Sequence, residues 1–133
     1  MIKNLNFFLT SGSLSFIVFL YMHVNVETAL DSRPLGTQSE HSIIRVYRRH
    51  AARAISEERW EVAEIFFDRI LDVSPDLTEA WLMKGLLRQY CREDDHAAIH
   101  CYQKVIKLCG EDVAHPHARR ARASLGRLMT VWG

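Results

Sequence analysis

A pair of aromatic and small positions recurs in this chain with a spacing of 34 residues. Tyr47 and Ala51 are followed, in step, by Trp81 and Gly85. Each pair precedes an alanine and, four positions later, another aromatic: Ala63 and Phe67, then Ala98 and Tyr102. A period of this length is typical of stacked helix–turn–helix units. The spacing therefore predicts an all-α protein that acts through a binding surface and has no catalytic pocket.

Capping and breaking residues between the periodic stretches predict five helices. Ser42 is the expected N-cap of the first, Ser74-Pro75-Asp76 ends the second, and an aspartate in the turn before His96 caps the fourth. Gly110 is the expected C-cap of that fourth helix. The predicted helices are residues 42–56, 60–73, 77–90, 96–108 and 117–131.

The stretches IRVYRRHAARAISEERWEVAEIFFDRILDVSPD and TEAWLMKGLLRQYCREDDHAAIHCYQKVIKLCG resemble the tetratricopeptide repeat (TPR) family. The family places an aromatic and then Leu-Gly on the first helix of each unit, and Ala and then an aromatic on the second. The resemblance implies about two units plus a C-terminal helix within residues 42–133. His50 and Lys84 stand where the family has leucine, and Gly110 where it has proline. Ala63 and Ala98 are 35 residues apart, which is one more than the period.

The same resemblance implies a partner-binding groove lined by the first helices of the units. Its middle would be apolar and both of its ends basic, which suits an extended or helical protein segment with acidic flanks. The positions that match the family's groove are Arg45, Arg48, Ala52, Ile55, Glu79, Leu82, Leu86, Gln89, Arg120, Ala123 and Arg127.

The N-terminal segment predicts a membrane anchor. Residues 7–26 carry no acidic or basic charge, and 20 helical residues span about 30 Å, the thickness of bilayer hydrocarbon. A cleaved signal peptide is the alternative, although cleavage after Ala29 would put Glu27 at a position that favours small residues. We divide the chain into an anchor or signal segment at 1–29, a Pro- and Gly-containing linker at 30–41 and the helical domain at 42–133.

The charges that flank the predicted span favour a single-pass topology with the helical domain exported. Lys3 and the amino terminus favour an inside N-terminus, while Arg33 opposes it and keeps a cytoplasmic domain as the alternative. The arginines of the first helix could instead lie against anionic lipid headgroups. These arginines are Arg45, Arg48, Arg49 and Arg53.

Other kinds of function find little support in the sequence. The chain has 17 basic and 16 acidic residues, a balance that gives no general attraction to nucleic acid. His96 and His100 share a helix face, but no further ligand is fixed beside them, so we expect a surface pair and no metal. No nucleophile–base pair or phosphate loop is present, and the three cysteines lack a metal-binding or redox spacing. We expect no enzyme activity and no cofactor.

These observations predict a membrane-anchored scaffold, an adaptor, accessory or assembly subunit of a membrane-associated complex. One alternative is a structural subunit built permanently into a large membrane complex. Another is a soluble, exported TPR protein released by signal cleavage.

Overall fold

The computed structural model describes residues 38–132, and every regular element in this range is helical. The elements are α1 (Gln38–Ser56), α2 (Trp60–Val73), α3 (Thr78–Leu86), a π-helical turn (Leu87–Cys91), α4 (Asp95–Cys109) and α5 (Pro116–Trp132). The predicted all-α class is confirmed. The second helix has the predicted bounds and the first ends at the predicted Ser56, while the remaining helix ends differ from prediction by one to four residues.

The chain divides after Phe66 into two compact units, so the boundary falls within α2. Unit 1 contains α1 and the first half of α2, and unit 2 contains the rest. Within residues 38–132, no helix is both long and apolar enough to cross a bilayer. The predicted span at residues 7–26 and the cleavage alternative at Ala29 lie outside the described residues.

In unit 1, α1 begins at Gln38, four residues before the predicted N-cap Ser42. The first part of this helix therefore takes in residues that the sequence assigned to the linker. Glu40 in the first turn suits the positive end of the helix dipole, which helps to explain the earlier start. The predicted inward stripe holds for Ile44, Ala51 and Ala54, which are buried.

Two charged residues of unit 1 are buried. Arg48, which was predicted to line the groove or to lie against lipid headgroups, has an exposed fraction of 8%, and that of Glu64 is 5%. Ile44 and Ala51 flank Arg48 on the buried side of α1, so helical geometry carries its side chain inward with theirs.

In unit 2, α4 packs against both α3 and α5 and forms the centre of the unit. Its ends are capped as predicted. The Asp94 carboxylate accepts a hydrogen bond from the Ala97 backbone N–H at 3.1 Å, and Gly110 closes the helix at φ 61°. Pro116 occupies the first position of α5, where its missing N–H costs nothing.

A π-helical turn at Leu87–Cys91 lies between Ala63 and Ala98, whose spacing exceeds the 34-residue period by one. The Arg92 N–H bonds the Leu87 carbonyl at 3.0 Å, five residues back, where an α-helix would bond four back. The π turn was not predicted from the sequence. The Arg88 guanidinium pairs with Asp94 at 3.1 Å, and this contact ties the π turn to the cap of α4.

The two departures from the family's leucine each place a polar side chain on an aromatic ring. His50 stacks on Phe66 with ring centroids 5.0 Å apart. The Lys84 ammonium lies 5.2 Å from the centre of the Trp81 ring and pairs with Asp68 at 2.6 Å. Each side chain covers apolar surface with its body, as a leucine would, and the ammonium of Lys84 keeps a charged partner.

A buried polar contact joins α3 to α5 within unit 2. The Thr78 hydroxyl and His117 Nδ1 are 2.7 Å apart, and both side chains are buried. His115 stands just before α5, and its Nδ1 accepts the His117 backbone N–H at 3.1 Å, as an N-cap side chain does.

Candidate functional site

Two of the predicted groove residues of unit 2, Gln89 and Arg120, interact with Tyr102, a buried tyrosine of α4. Its ring lies against Gly85 of α3, so close that a Cβ added at residue 85 would be 2.6 Å from Cε1. A side chain at residue 85 would collide with the ring. Gly85, at a recurring small position, and Tyr102, at a recurring aromatic position, are thus direct packing partners.

The phenol of Tyr102 points to the π turn. Its hydroxyl donates a hydrogen bond to Gln89 Oε1 at 2.6 Å. Burial raises the pKa of Tyr102 well above that of an exposed tyrosine, while the nearby Ser124 hydroxyl and Arg120 guanidinium partly oppose this rise. The phenol therefore stays protonated at neutral pH and serves as a hydrogen-bond donor that holds Gln89 in place.

Helix α5 contributes two arginines that interact with tyrosines of unit 2. Arg120 acts electrostatically on the Tyr102 phenol, and Arg127 Nη1 donates to the Tyr90 hydroxyl at 3.2 Å. At 3.6 residues per turn, Arg120, Ser124 and Arg127 share one face of the helix. We call Gln89, Tyr90, Tyr102, Arg120 and Arg127 the tyrosine–arginine cluster.

The opposite face of α5 has a different environment. Arg122 Nη1 donates to the Val113 carbonyl at 3.2 Å, in the loop that precedes the helix. Met129 is 57% exposed, and no other element comes within 4 Å of where a Cβ at Gly126 would lie. One face of α5 therefore joins a polar cluster, and the other presents small and apolar positions.

The predicted groove residues of unit 2 fall into two groups. The side chains of Gln89, Arg120 and Arg127, all in the tyrosine–arginine cluster, are at least partly exposed to solvent. Leu82 and Leu86 of α3 are 0% and 2% exposed and belong to the core, as does the buried Glu79. The accessible part of the predicted groove in unit 2 is therefore its polar end. Ala123 is exposed on α5, one turn from both arginines.

In unit 1, only one of the four predicted groove residues is exposed. Arg45 is exposed, whereas Arg48, Ala52 and Ile55 are buried. A single groove lined by residues of both units stays a prediction.

Tyr90 and Ser124 were missed by the sequence analysis. Tyr90 was placed at the end of a helix, and Ser124 carries no pattern of its own. The signal that could have pointed to Tyr90 is the additional residue in the second repeat, because π turns often occur at functional sites.

The histidines take part in separate contacts. His100 meets the edge of the Trp81 ring, with centroids 6.1 Å apart, and His115 and His117 lie at the start of α5. Within residues 38–132, no three His, Cys, Asp or Glu side chains are grouped so as to hold a metal. Cys101 is buried, Cys91 and Cys109 are half-buried, and none of the three forms a disulfide within residues 38–132.

Comparison with known protein families, with curated proteins and with solved structures found no match to this chain. The resemblance to the tetratricopeptide repeat therefore rests on the residue pattern alone.

Proposed function

We propose that this protein is a membrane-anchored interaction scaffold of the tetratricopeptide-repeat type, an adaptor or assembly subunit that binds a protein segment at the tyrosine–arginine cluster. The observation that carries the proposal is the meeting of Gln89, Arg120 and Arg127 around two tyrosines. These three residues were selected from a sequence pattern, and they come from two elements, the π turn and α5.

Two further observations support a repeat. Glu58 and Glu93, which follow the first helix of each predicted unit, both have positive φ, at 58° and 55°. Few non-glycine residues adopt this conformation, so its recurrence at matching positions favours a common turn. The contact between Gly85 and Tyr102 supplies the small-to-aromatic packing on which the pattern is based.

The spacing of the arginines indicates what a partner would present. Arg120 and Arg127 are about 10 Å apart along the helix axis, at 1.5 Å per residue. Because the two side chains make separate contacts, Arg120 with Tyr102 and Arg127 with Tyr90, we expect each guanidinium to bind its own acidic group. A partner helix with two acidic side chains two turns apart has this spacing, and an arginine can bind each carboxylate through two hydrogen bonds.

Affinity capture of the full chain from its native membranes tests the proposal. The double variant Arg120→Ala/Arg127→Ala should recover the partner at least roughly tenfold less well, because charge-assisted hydrogen bonds contribute about 1.5–3 kcal/mol each. The matched control is Arg119→Ala/Arg122→Ala, which removes the same charge from the other side of α5. Equal loss from both double variants, or no loss from the first, would overturn the proposal.

A permanently integrated structural subunit is the second candidate, and the open face of α5 favours it. Met129 is exposed beside Gly126, and small exposed positions allow another helix to approach closely. Such a subunit would depend on its complex for stability. Gentle solubilisation followed by sizing separates the two candidates, because a stable free monomer would contradict the integrated subunit.

A soluble, exported protein released by signal cleavage is a variant of the first proposal. Mass spectrometry of the mature N-terminus distinguishes them: an intact Met1 supports the anchor, and a start near Leu30 supports release.

A further inference from the structure

The exposed face of α1 combines arginines with bare apolar side chains. Ile43 and Val46 are 40% and 46% exposed, and Arg45, Arg49 and Arg53 are exposed around them. Helical spacing brings Val46, Arg49 and Arg53 to one side of the helix, with Ile43 and Arg45 at its edges. We call these five residues the basic face.

We infer that the basic face of α1 binds the surface of an anionic lipid bilayer. Arginines that surround a small apolar centre are what an interfacial helix requires: the apolar side chains enter the headgroup layer and the guanidiniums bind lipid phosphates. The inference uses residues of unit 1 alone and does not depend on the groove proposal.

The structure changes which residues can meet lipid. Arg48, which the sequence grouped with the other three arginines, is buried and cannot contribute. Ile43 and Val46 take its place as members of the surface. Arg53 pairs with Glu57 at 3.0 Å, which neutralises part of the charge at the end of α1. Arg45 and Arg49 are therefore the principal cationic groups.

An acidic protein is a poorer occupant of the basic face. Specific protein interfaces usually bury more than about 1,000 Å² and are anchored by aromatic side chains. The apolar centre here consists of two aliphatic residues on one helix. A headgroup layer is fluid and needs only shallow apolar contact together with positive charge, so it matches this surface better.

A second apolar residue of unit 1 supplies a matched control. Ile65 on α2 is 49% exposed, as open as Val46. Its exposed neighbours four residues away on α2 are one acidic residue, Glu61, and one basic residue, Arg69, so no basic cluster surrounds it. A bilayer that carries negative charge should attract position 46, which lies among three arginines, and should not attract position 65.

The experiment places a tryptophan at each of these positions in the full chain. Val46→Trp and Ile65→Trp proteins are reconstituted with vesicles of brominated phosphatidylcholine, with or without phosphatidylserine. Bromine quenches a tryptophan that enters the lipid, and the unsubstituted chain provides the background from its own tryptophans. All variants share the same N-terminal segment. If this segment attaches the chain to every vesicle, it contributes equally to all samples, and differences in quenching report on positions 46 and 65.

The expected result is strong quenching of Val46→Trp only when phosphatidylserine is present, and none of Ile65→Trp. Adding Arg45→Gln and Arg49→Gln should lower the ratio of lipid-bound to lipid-free basic face, read from the quenching of Val46→Trp, by about 25-fold, since each arginine near an anionic surface is worth about fivefold. High salt should do the same. Quenching that is equal with and without phosphatidylserine, or that survives both substitutions, would overturn the inference. So would a Val46→Trp that stays unquenched on anionic vesicles, which would leave the basic face to an acidic protein.

Discussion

The ring of Tyr102 fills the space that a side chain at Gly85 would need. The distance from Cε1 to an added Cβ would be 2.6 Å, well inside van der Waals contact. The ring is fully buried and its hydroxyl is hydrogen-bonded, so it has little freedom to move aside. This contact sets how closely α3 and α4 approach, and it places Gln89 against the phenol.

Gly85→Ala should therefore destabilise the protein. Overpacking a rigid core costs about 1–3 kcal/mol, and urea unfolding measures the loss. Gly126→Ala is the matched control, because an added Cβ there meets nothing within 4 Å and alanine favours a helix by about 1 kcal/mol. We expect opposite signs for the two variants. Equal effects would mean that Gly85 is no more restricted than an exposed helical glycine.

The raised pKa of Tyr102 predicts a loss of stability at alkaline pH. The folded state holds this proton more tightly than the unfolded state, whose tyrosine pKa is about 10. The contribution is thus complete below about pH 10 and is lost as the pH rises towards the higher pKa of the folded state. Wild type should lose stability over this range more steeply than Tyr102→Phe. Parallel pH profiles of the unfolding free energy would contradict the assignment.

Two turns contain glutamates with positive φ, and glycine should relieve the strain at either. Glu93→Gly should stabilise the protein by about 1 kcal/mol, because a left-handed conformation costs an L-residue roughly 1–2 kcal/mol and costs glycine very little. Glu58→Gly should behave in the same way, except for any interaction of its carboxylate. Glu111 lies in a loop without positive φ, and Glu111→Gly is expected to be neutral or destabilising.

The buried contact between Thr78 and His117 should contribute to the stability of unit 2. Thr78→Val keeps the shape of the side chain and leaves His117 Nδ1 without this partner, at a cost of about 1–3 kcal/mol. Thr130→Val is the control, since that exposed hydroxyl bonds only backbone carbonyls of its own helix. Thermal unfolding of the two variants checks this. A loss no larger for Thr78→Val than for Thr130→Val would contradict the prediction.

Helix ends and small-to-aromatic packing could be predicted from the sequence because local chemistry determines them. Asp94 and Gly110 cap α4 as expected, and Gly85 and Tyr102 meet. These features depend on one residue type at one backbone position, so a single chain contains enough information to find them.

Charged residues and the additional residue of the second repeat were harder to place. Arg48 and Glu64 are buried because helical geometry turns them inward, whereas reading by residue type assigns charge to the surface. One additional residue can enlarge a loop or a helical turn, and periodicity does not choose between them. The structure has a π turn at Leu87–Cys91, and the hydroxyl of Tyr90 in that turn accepts a hydrogen bond from Arg127.

Site-specific crosslinking on α5 tests the proposed function most directly. A photoreactive benzophenone residue replaces either Ala123, beside Arg120 and Arg127, or Met129, on the opposite face, in the full chain in native membranes. We predict one discrete crosslinked product from position 123, lost in the Arg120→Ala/Arg127→Ala background, and none from position 129. A product from position 129 alone, or one from position 123 that persists without the two arginines, would contradict the account.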